Sequence, residues 1–294
     1  MARRAEPAMA AAPVDLHGRT VIVTGASPGS LGFETARTLT AWGADVVVTT
    51  RSRTEATVAA LGGGATGHPL ELADATSVRD FADWFASRHD RLDALVNNAG
   101  IHLDLRSSWK QPTLVDGHEI HWRTNYLGTM QLTHALLPVL AATGNARVVN
   151  VVSKLHERGR NEFLFAPITP YDSWVAYGTS KLALIHAATE VERRVEGVRG
   201  YSLHPGSVFT HIADRGLDGH RVLGAARRVL APLERRMLRT PAEGAQTSLH
   251  CATAQQAEGG YYRDCRPAQP SDDAQDPEVA ARLWDVTAEW VGGR

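Results

Sequence analysis

The chain has 294 residues, enough for one large α/β domain or two small ones with a sizeable buried core. Hydrophobic residues make up 43% of it and charged residues 21%, which are ordinary proportions for a soluble globular protein. The formal net charge of -1 argues against nucleic acid or an anionic membrane surface as a partner. The two cysteines, Cys251 and Cys265, provide neither a disulfide framework nor a zinc quartet, and they favour a reducing, cytoplasmic location.

The N-terminal segment, residues 1–15, is expected to be a disordered tail because Met1–Pro13 is rich in alanine, proline and arginine. A signal peptide is the alternative interpretation, but the apolar run is short and a cytosolic-looking strand follows at once. No run approaches the ~18 apolar residues of a spanning helix, so no membrane span is expected.

The first regular elements predict a β-α-β unit. Arg19–Thr24 is a short β-branched strand, Phe33–Trp42 is a helix, and Asp45–Thr50 is the second strand. The intervening loop, Gly25–Gly32, is rich in glycine, which lets the backbone approach a pyrophosphate at the helix N-terminus. A glycine-rich loop alone could be a simple turn, but its place after the first strand favours a dinucleotide-binding loop.

The alternation of strands and helices continues through the chain. The predicted strands are Thr66–Leu72, Leu92–Val96, Ala146–Val152 and Val198–Leu203, and the predicted helices are Ser77–Arg88, Gly117–Leu140 and one from about Val175 to Glu196. This order predicts a parallel sheet with right-handed crossovers. We expect one doubly wound α/β domain over residues 16–265, with a mostly parallel seven-stranded sheet between helices on both faces. Residues 266–294 are expected to form a C-terminal extension that packs on it.

Ligands of open α/β sheets bind at the carboxyl ends of the strands. Those ends carry Gly25–Gly32, Arg51, Asn97–Gly100, Ser153 and Pro205–Gly206. Tyr177 and Lys181 lie in the helix between the last two and share one face of it. These residues are therefore expected to converge on one crevice.

The chemistry predicted for this crevice is proton transfer at a carbonyl or alcohol oxygen. A free tyrosine has a pKa of about 10, and the positive charge of Lys181 is expected to lower the pKa of Tyr177 so that it can act as an acid or base. The Ser153 hydroxyl can hydrogen-bond the reacting oxygen. Lys181 can also reach a ribose hydroxyl, and Asn125 could hold a water against Lys181 as a proton relay. These four residues are the predicted catalytic set.

The combined motifs resemble the short-chain dehydrogenase/reductase family over about residues 18–265. They are the loop of Thr24, Gly25 and Gly29, then Asn97–Gly100, Asn125, Ser153, Tyr177 and Lys181, and the stretch Pro205–Thr210 that holds the nicotinamide side of the cofactor in the family. Three fragments, Gly32–Ala36, Tyr261–Cys265 and the segment around His204, are similar to the retinol-dehydrogenase-like and WW-domain-oxidoreductase-like branch.

The resemblance implies a Rossmann-type oxidoreductase that transfers a hydride between a nicotinamide cofactor and a carbonyl/alcohol pair. The implied cofactor-binding residues are Gly25, Ser27, Gly29, Ser30, Leu31, Gly32, Arg51, Glu71, Leu72, Asn98, Ala99, Gly100, Tyr177, Lys181, Pro205, Gly206, Val208 and Thr210. The implied substrate-binding residues are Ser153, Leu155, Trp174, Tyr177 and Phe209. Family members commonly associate through the helix that carries Tyr177, which implies a homodimer or homotetramer.

Three features depart from the family pattern. The glycine loop has one extra residue before Gly32, and Glu71 replaces the aspartate that meets adenine. The third is a long separation between Ser153 and Tyr177, in which Lys154–Trp174 is expected to form part of the substrate wall. The apolar side chains of that segment favour a hydrophobic ketone or secondary alcohol as the small-molecule substrate.

The predicted cofactor preference is NADP(H), with NAD(H) possible. The end of the second strand has no acidic residue until Glu55, whereas Arg51 and Arg53 can meet a ribose 2′-phosphate. Surface arginines without this role are the alternative.

Two other functions are compatible with the pattern: a non-catalytic cofactor-binding regulator or scaffold, and an imine or enone reductase. His102, His156 and His211 lack metal-ligand spacing and are expected to be wall or surface residues, so no metal site is predicted. The arginine-rich Leu217–Leu238 fits either a solvated helix face or a mobile lid.

Overall fold

The computed structural model of the protein describes residues 10–208 and 238–292. The strands are β1 (Thr20–Thr24), β2 (Asp45–Thr50), β3 (Thr66–Pro69), β4 (Ala94–Asn97), β5 (Leu114–Val115), β6 (His118–Glu119), β7 (Ala146–Val151), β8 (Val198–His204), β9 (Gly260–Arg263) and β10 (Arg266–Pro267). The α-helices are α1 (Leu31–Ala41), α2 (Thr54–Leu61), α3 (Ala75–Ala86), α4 (Thr129–Thr143), α5 (Ser173–Arg194), α6 (Pro241–Thr253) and α7 (Pro277–Gly292). A π-helix spans Trp122–Gly128, and 3-10 turns span Lys154–Arg158, Asn161–Leu164 and Asp272–Gln275.

The described residues form a main sheet with the strand order β10-β9-β8-β7-β4-β1-β2-β3. All neighbouring strands are parallel except β10, which pairs antiparallel with β9. The sheet therefore has eight strands where seven were expected; the six strands located in the sequence are all present, and β9 and β10 have no counterpart among them. The doubly wound α/β class predicted from the strand–helix alternation is confirmed.

Alternate side chains of the strands pack into two hydrophobic clusters, one on each face of the sheet. In β1, Ile22 belongs to the cluster beneath α3, α4, α5 and α7, whereas Val21 and Val23 belong to the cluster beneath α1 and α6. All three side chains are buried. Burial on both faces explains why the central strands read as continuous apolar runs.

The helix predicted over Gly117–Leu140 begins later in the structure. Asp116 and Gly117 have positive φ angles of 51° and 78° and form the turn between β5 and β6. The backbone then enters the π-helix, where the Glu119 carboxylate accepts a hydrogen bond from the Trp122 N–H at 2.9 Å. Wide helical turns of this kind are rare and often occur at functional sites. Helix α2 was not predicted, and β3 ends three residues earlier than expected.

Both ends of the described chain pack on the domain. Ala11 is buried and its N–H donates to the side chain of Gln246 at 3.0 Å, so the predicted tail of residues 1–15 is anchored at this point. Helix α7 places Leu283 and Trp284 in the core beside α4 and α5. Among the described helices, none combines the length and the apolar character required to cross a membrane.

Candidate active site

A cavity of about 400 Å³ lies at the carboxyl ends of β1, β2, β4, β7 and β8. Its lining includes seventeen of the residues predicted for the site: Gly25, Ser27, Ser30, Leu31, Arg51, Glu71, Leu72, Asn98, Ala99, Gly100, Ser153, Leu155, Tyr177, Lys181, Pro205, Gly206 and Val208. The strand ends thus converge as the topology requires.

The glycine loop closes the cavity on the side of β1. Gly25 has a φ of 68°, and a Cβ built on it would lie 2.8 Å from the Cα of Ala99. Only glycine satisfies both the left-handed backbone and this close approach. Ser30 is the N-cap of α1 and accepts a hydrogen bond from the Phe33 N–H at 3.1 Å. The first turn of α1 consequently starts at the cavity, where a phosphate would meet the positive end of the helix dipole.

The loop after β4 is tied to the glycine loop by hydrogen bonds. Thr24 Oγ1 accepts from the N–H groups of Asn98 and Ala99, each at 3.0 Å. The Asn98 side-chain amide donates to the carbonyl oxygens of Thr24 at 2.8 Å and Gly25 at 3.2 Å. These bonds hold both loops in one position, and the loop geometry of the cavity is therefore set before any ligand binds.

Tyr177 and Lys181 project from α5 into the same cavity, and both are almost fully buried. Lys181 Nζ donates to the carbonyl oxygen of Val151 at 3.1 Å and lies 5.8 Å from the centroid of the Tyr177 ring. Ser153 follows β7, and its hydroxyl accepts from the Leu155 N–H at 3.2 Å and hydrogen-bonds with Tyr177. The structure thus brings three of the four predicted catalytic side chains together.

Burial shifts the pKa values of both Tyr177 and Lys181. It raises the pKa of Tyr177 to about 12, although the hydrogen bond with Ser153 opposes the rise. It lowers the pKa of Lys181 to about 8. The expectation that Lys181 lowers the pKa of Tyr177 is therefore wrong for this structure, since removal of the phenol from water outweighs the distant ammonium.

Asn125, the fourth predicted catalytic residue, lies behind the cavity wall and is fully buried. Its amide nitrogen donates to the Ile101 carbonyl at 2.9 Å and to Ser180 Oγ at 3.1 Å, and its amide oxygen accepts from the Ile101 N–H at 2.8 Å. A Cβ on Gly100 would lie 3.1 Å from Lys181 Nζ and 3.3 Å from Asn125 Oδ1. Asn125 therefore pins the loop after Gly100 to α5, and the water relay stays a prediction.

Besides Asn125 and Trp174, four predicted residues are outside the cavity lining or outside the described chain. Gly32 lies in α1, where a Cβ would collide with the Asn98 side chain, so the extra loop residue places it in a packing role. Gly29 takes a φ of 80° at the loop turn, also outside the lining. Phe209 and Thr210 lie outside the described residues, as do His211 and most of Leu217–Leu238.

The segment between Ser153 and Tyr177 contributes less to the cavity than expected. Of Lys154–Trp174, only Leu155 lines it among the described residues. Two other residues of the segment contact the C-terminal extension, Asn161 through Asp273 and His156 through the Ser271 N–H at 3.1 Å. Trp174 donates to the Leu105 carbonyl at 3.2 Å and is outside the cavity lining. Most of the predicted substrate wall therefore lies away from the lining.

Other wall residues were missed by the sequence analysis or were given no site role. They are Pro28, Thr49, Thr50, Ser52, Leu70, Ile101, His102, Thr124, Val151, Val152 and His204. All except Thr124, which lies in the helix predicted over Gly117–Leu140, are close to a predicted strand end, so strand position was the signal available for them. Their residue types alone carry no such signal.

Comparison with known proteins agrees with the geometry. The family model described as short chain dehydrogenase matches residues 19–218. The chain belongs to the short-chain dehydrogenase family. Retinol dehydrogenase 11 of Homo sapiens is 36% identical over 292 residues, which cover 95% of this chain and 87% of that protein. Dehydrogenase/reductase SDR family member 13 of Bos taurus is 37% identical, with 94% and 74% covered.

A solved structure of an uncharacterized protein from Mycobacterium paratuberculosis has a TM-score of 0.72 and 31% identity, and the alignment covers 95% of each chain. The curated relatives place this short-chain dehydrogenase in the retinol-dehydrogenase-like branch, as predicted. The protein is an NAD(P)-dependent oxidoreductase.

The cavity of this short-chain dehydrogenase fits a nicotinamide dinucleotide. Gly25 belongs to the lining and has no side chain, so a ligand can approach its backbone there. Thr124 belongs to the lining, and its buried Oγ1 has no hydrogen-bond partner within the described ranges, so a ligand has a polar group to satisfy there. No group of three or more metal-ligating side chains occurs within residues 10–208 and 238–292.

Cofactor binding is expected to weaken as the pH rises through about 8, because Lys181 then loses the ammonium that can donate to a ribose hydroxyl. The group is charged below its pKa and neutral above it. Titration of NADPH fluorescence should show Kd rising above this pH in the wild type. In Lys181→Met, Kd should already be higher by roughly 10-fold or more at neutral pH and should vary little with pH.

Lys154→Met is the matched control, because Lys154 is exposed beside Ser153 and lies outside the cavity lining. It should keep the pH dependence of the wild type. A wild-type Kd that is constant from about pH 6 to about pH 10 would contradict the role given to Lys181.

Proposed function

We propose that the protein interconverts a carbonyl and an alcohol on a small hydrophobic molecule with NADP(H), and that Tyr177 is the general acid and base. The observation that carries the proposal is the meeting of Tyr177, Ser153 and Lys181 with the glycine loop in one cavity. The bound nicotinamide would supply or accept the hydride.

The side chains support a division of roles in this reaction. Tyr177, with its pKa raised to about 12, is protonated at neutral pH and is in the form that donates a proton to a developing alkoxide. Ser153, which hydrogen-bonds with Tyr177, can hold the same oxygen. The buried ammonium of Lys181 stabilises negative charge that forms at that oxygen, since electrostatic effects are large away from water.

Tyr177→Phe is expected to reduce kcat by ~10²–10⁴-fold, because it removes the transferred proton while the ring is kept. Cofactor affinity should remain near the wild-type value. The measurement is the change in absorbance of NADPH with a panel of ketones and alcohols, together with a fluorescence titration of NADPH.

Tyr262→Phe provides the control. Tyr262 is buried, its hydroxyl donates to the Glu258 carbonyl at 2.8 Å, and it lies outside the cavity lining. It should keep its turnover. Near-normal turnover in Tyr177→Phe would refute the acid/base role. A wild type that binds NADPH but turns over no member of the panel would favour the non-catalytic regulator.

The proposed substrate is bulky and apolar around its reacting carbon. Ile101, Leu155 and Val208 contribute apolar wall beside the polar cluster, and pockets of this kind select lipophilic molecules. Several of the similar proteins are named retinol dehydrogenases, and retinol is a hydrophobic alcohol. The relatives and the wall thus point to the same class of substrate.

Benzylacetone and 4-hydroxy-2-butanone test this proposal because they share a methyl ketone. Benzylacetone carries a phenyl group at the position where 4-hydroxy-2-butanone carries a hydroxyl group. Burial of an aromatic ring contributes ~1.5–3 kcal/mol, so kcat/KM should favour benzylacetone by roughly 10- to 150-fold. Equal values for the two ketones would contradict the proposed hydrophobic pocket.

The preference for NADP(H) is supported by Arg51 at the end of β2. Its guanidinium forms a loose ion pair with Glu71, with 3.6 Å between Nη1 and Oε2, and both side chains are partly exposed. Exposed pairs of this kind contribute little to stability, so Arg51 can turn to a phosphate at small cost. Ser52 and Thr50 line the cavity next to it, whereas Arg53 lies outside the lining.

Arg51→Ala is expected to lower the ratio of kcat/KM for NADPH to that for NADH. A charge-assisted hydrogen bond of ~1.5–3 kcal/mol corresponds to roughly 10- to 150-fold of selectivity. Arg53→Ala, which removes a charge of the same sign two residues away, should leave most of the ratio unchanged. An unchanged ratio in Arg51→Ala, or equal use of both cofactors by the wild type, would overturn this assignment.

A further inference from the structure

His102 packs against two aromatic side chains, Tyr177 and Trp174. Its ring stacks on the ring of Tyr177 with 4.1 Å between centroids and 12° between planes. The edge of Trp174 meets the same imidazole at 4.8 Å and 84°. His102 is 5% exposed and belongs to the cavity lining. It is therefore a wall residue in direct contact with Tyr177.

The position of His102 is enforced by the residue that follows it. The Leu103 N–H donates to His121 Nε2 at 2.9 Å, which leaves the proton of neutral His121 on Nδ1. That nitrogen contacts Glu119 Oε1 at 2.7 Å, and the same oxygen accepts from the Tyr171 hydroxyl at 3.0 Å. This buried network fixes the backbone next to His102, so the stack on Tyr177 is built in before a ligand arrives.

The imidazole of His102 is an unusual wall group because one of its nitrogens makes no hydrogen bond within the described part of the chain. Its Nε2 is buried and has no hydrogen-bond partner among the residues that the structure describes. Burial, with the positive charge of Lys181, lowers the pKa of His102 to about 4. A neutral imidazole offers one donor and one acceptor, and a buried polar group without a partner is costly in a folded protein. A ligand in the cavity can supply that partner.

We propose that His102 is a substrate-binding residue whose imidazole hydrogen-bonds a second oxygen of the substrate, on the carbon next to the reacting carbonyl or alcohol, while its ring holds Tyr177 in position. The inference rests on the proposed carbonyl/alcohol function and names its substrate more closely. The stack places the imidazole beside the phenol. Two oxygens on adjacent carbons can therefore be held together, one by Tyr177 and the other by His102. The substrate class is an α-hydroxyketone or vicinal diol with an apolar remainder.

The kinetic test compares benzylacetone with its α-hydroxy derivative in the wild type and in His102→Phe, which keeps an aromatic ring on Tyr177 but has no hydrogen-bonding atom. The wild type should prefer the α-hydroxy compound, and the preference in kcat/KM should fall by roughly 2- to 13-fold in the variant. In His102→Leu, which removes the stack as well, kcat should fall for both ketones.

His134→Phe is the matched control. His134 is also partly buried, packs on Trp284 at 4.8 Å and has an Nε2 without a partner among the described residues, but it lies on α4 outside the cavity lining. Its replacement should leave the preference for the α-hydroxy compound unchanged. A preference in His102→Phe that equals that of the wild type would overturn the inference while the proposed function stands. Absence of turnover with every ketone and alcohol in the wild type would instead refute the proposed function.

A measurement on the wild type covers the case in which a variant does not fold. The imidazole nitrogen resonances of His102, in an enzyme with ¹⁵N-labelled histidine loaded with NADP⁺, should shift when the α-hydroxy derivative of benzylacetone is added. They should shift much less with benzylacetone. Binding of both compounds without any difference between the His102 shifts would overturn the inference.

Discussion

The close contact of helix α5 with the backbone around it determines the geometry of the site. A Cβ on Gly178 would lie 2.5 Å from the Leu155 carbonyl oxygen and 3.0 Å from the Gly159 nitrogen, and a Cβ on Gly200 would collide with the Ala188 carbonyl. With no side chain between them, α5 rests directly on β8 and on the turn after Ser153. Tyr177 and Ser153 are thus held together by backbone packing, which is stiffer than contact between flexible side chains.

This packing also explains the electrostatics of the cavity. Lys181 is in the same buried helix, and its hydrogen bond among the described residues goes to the Val151 carbonyl, a neutral acceptor. Removal from water without a carboxylate partner costs free energy and moves the pKa of the ammonium down, as it moves the pKa of Tyr177 up. A bound ligand with hydroxyl groups can offset this free-energy cost by hydrogen-bonding to the buried groups.

The sequence predicts those parts of the structure that local patterns encode. The alternation of apolar strands and helices yields the sheet, and the rule that ligands bind at strand ends, together with the family resemblance, yields seventeen of the lining residues. The spacing of Tyr177 and Lys181 predicts their common face because it depends only on helix geometry. Features that depend on contacts between distant segments were missed. The turn after Ser153 packs on the extension through Asn161 and Asp273, which are 112 residues apart, and no local pattern reports that contact.

The predicted direction of the Tyr177 pKa shift was wrong for the same reason, because that shift depends on burial of the phenol by several elements of the fold. His102 illustrates a further limit. A single histidine after a strand end carries no pattern, and only the stack on Tyr177 distinguishes it from a surface residue.

The C-terminal extension affects how copies of the chain could associate. The resemblance implies association through the helix that carries Tyr177, which requires an outer face of α5 open to a partner. Within α5 only Thr189 and Glu192–Arg194 are exposed, and α7 packs along α5 with Leu283 and Trp284 in the core. Tyr126 in the π-helix also hydrogen-bonds Thr287 of α7 at 2.6 Å. The chain's own α7 thus occupies apolar surface of α5 that a second copy would otherwise bury, and a homodimer or homotetramer would have to use another surface or displace α7. Displacement would expose the buried side of Leu283 and Trp284 to water, which the free energy of association would have to offset.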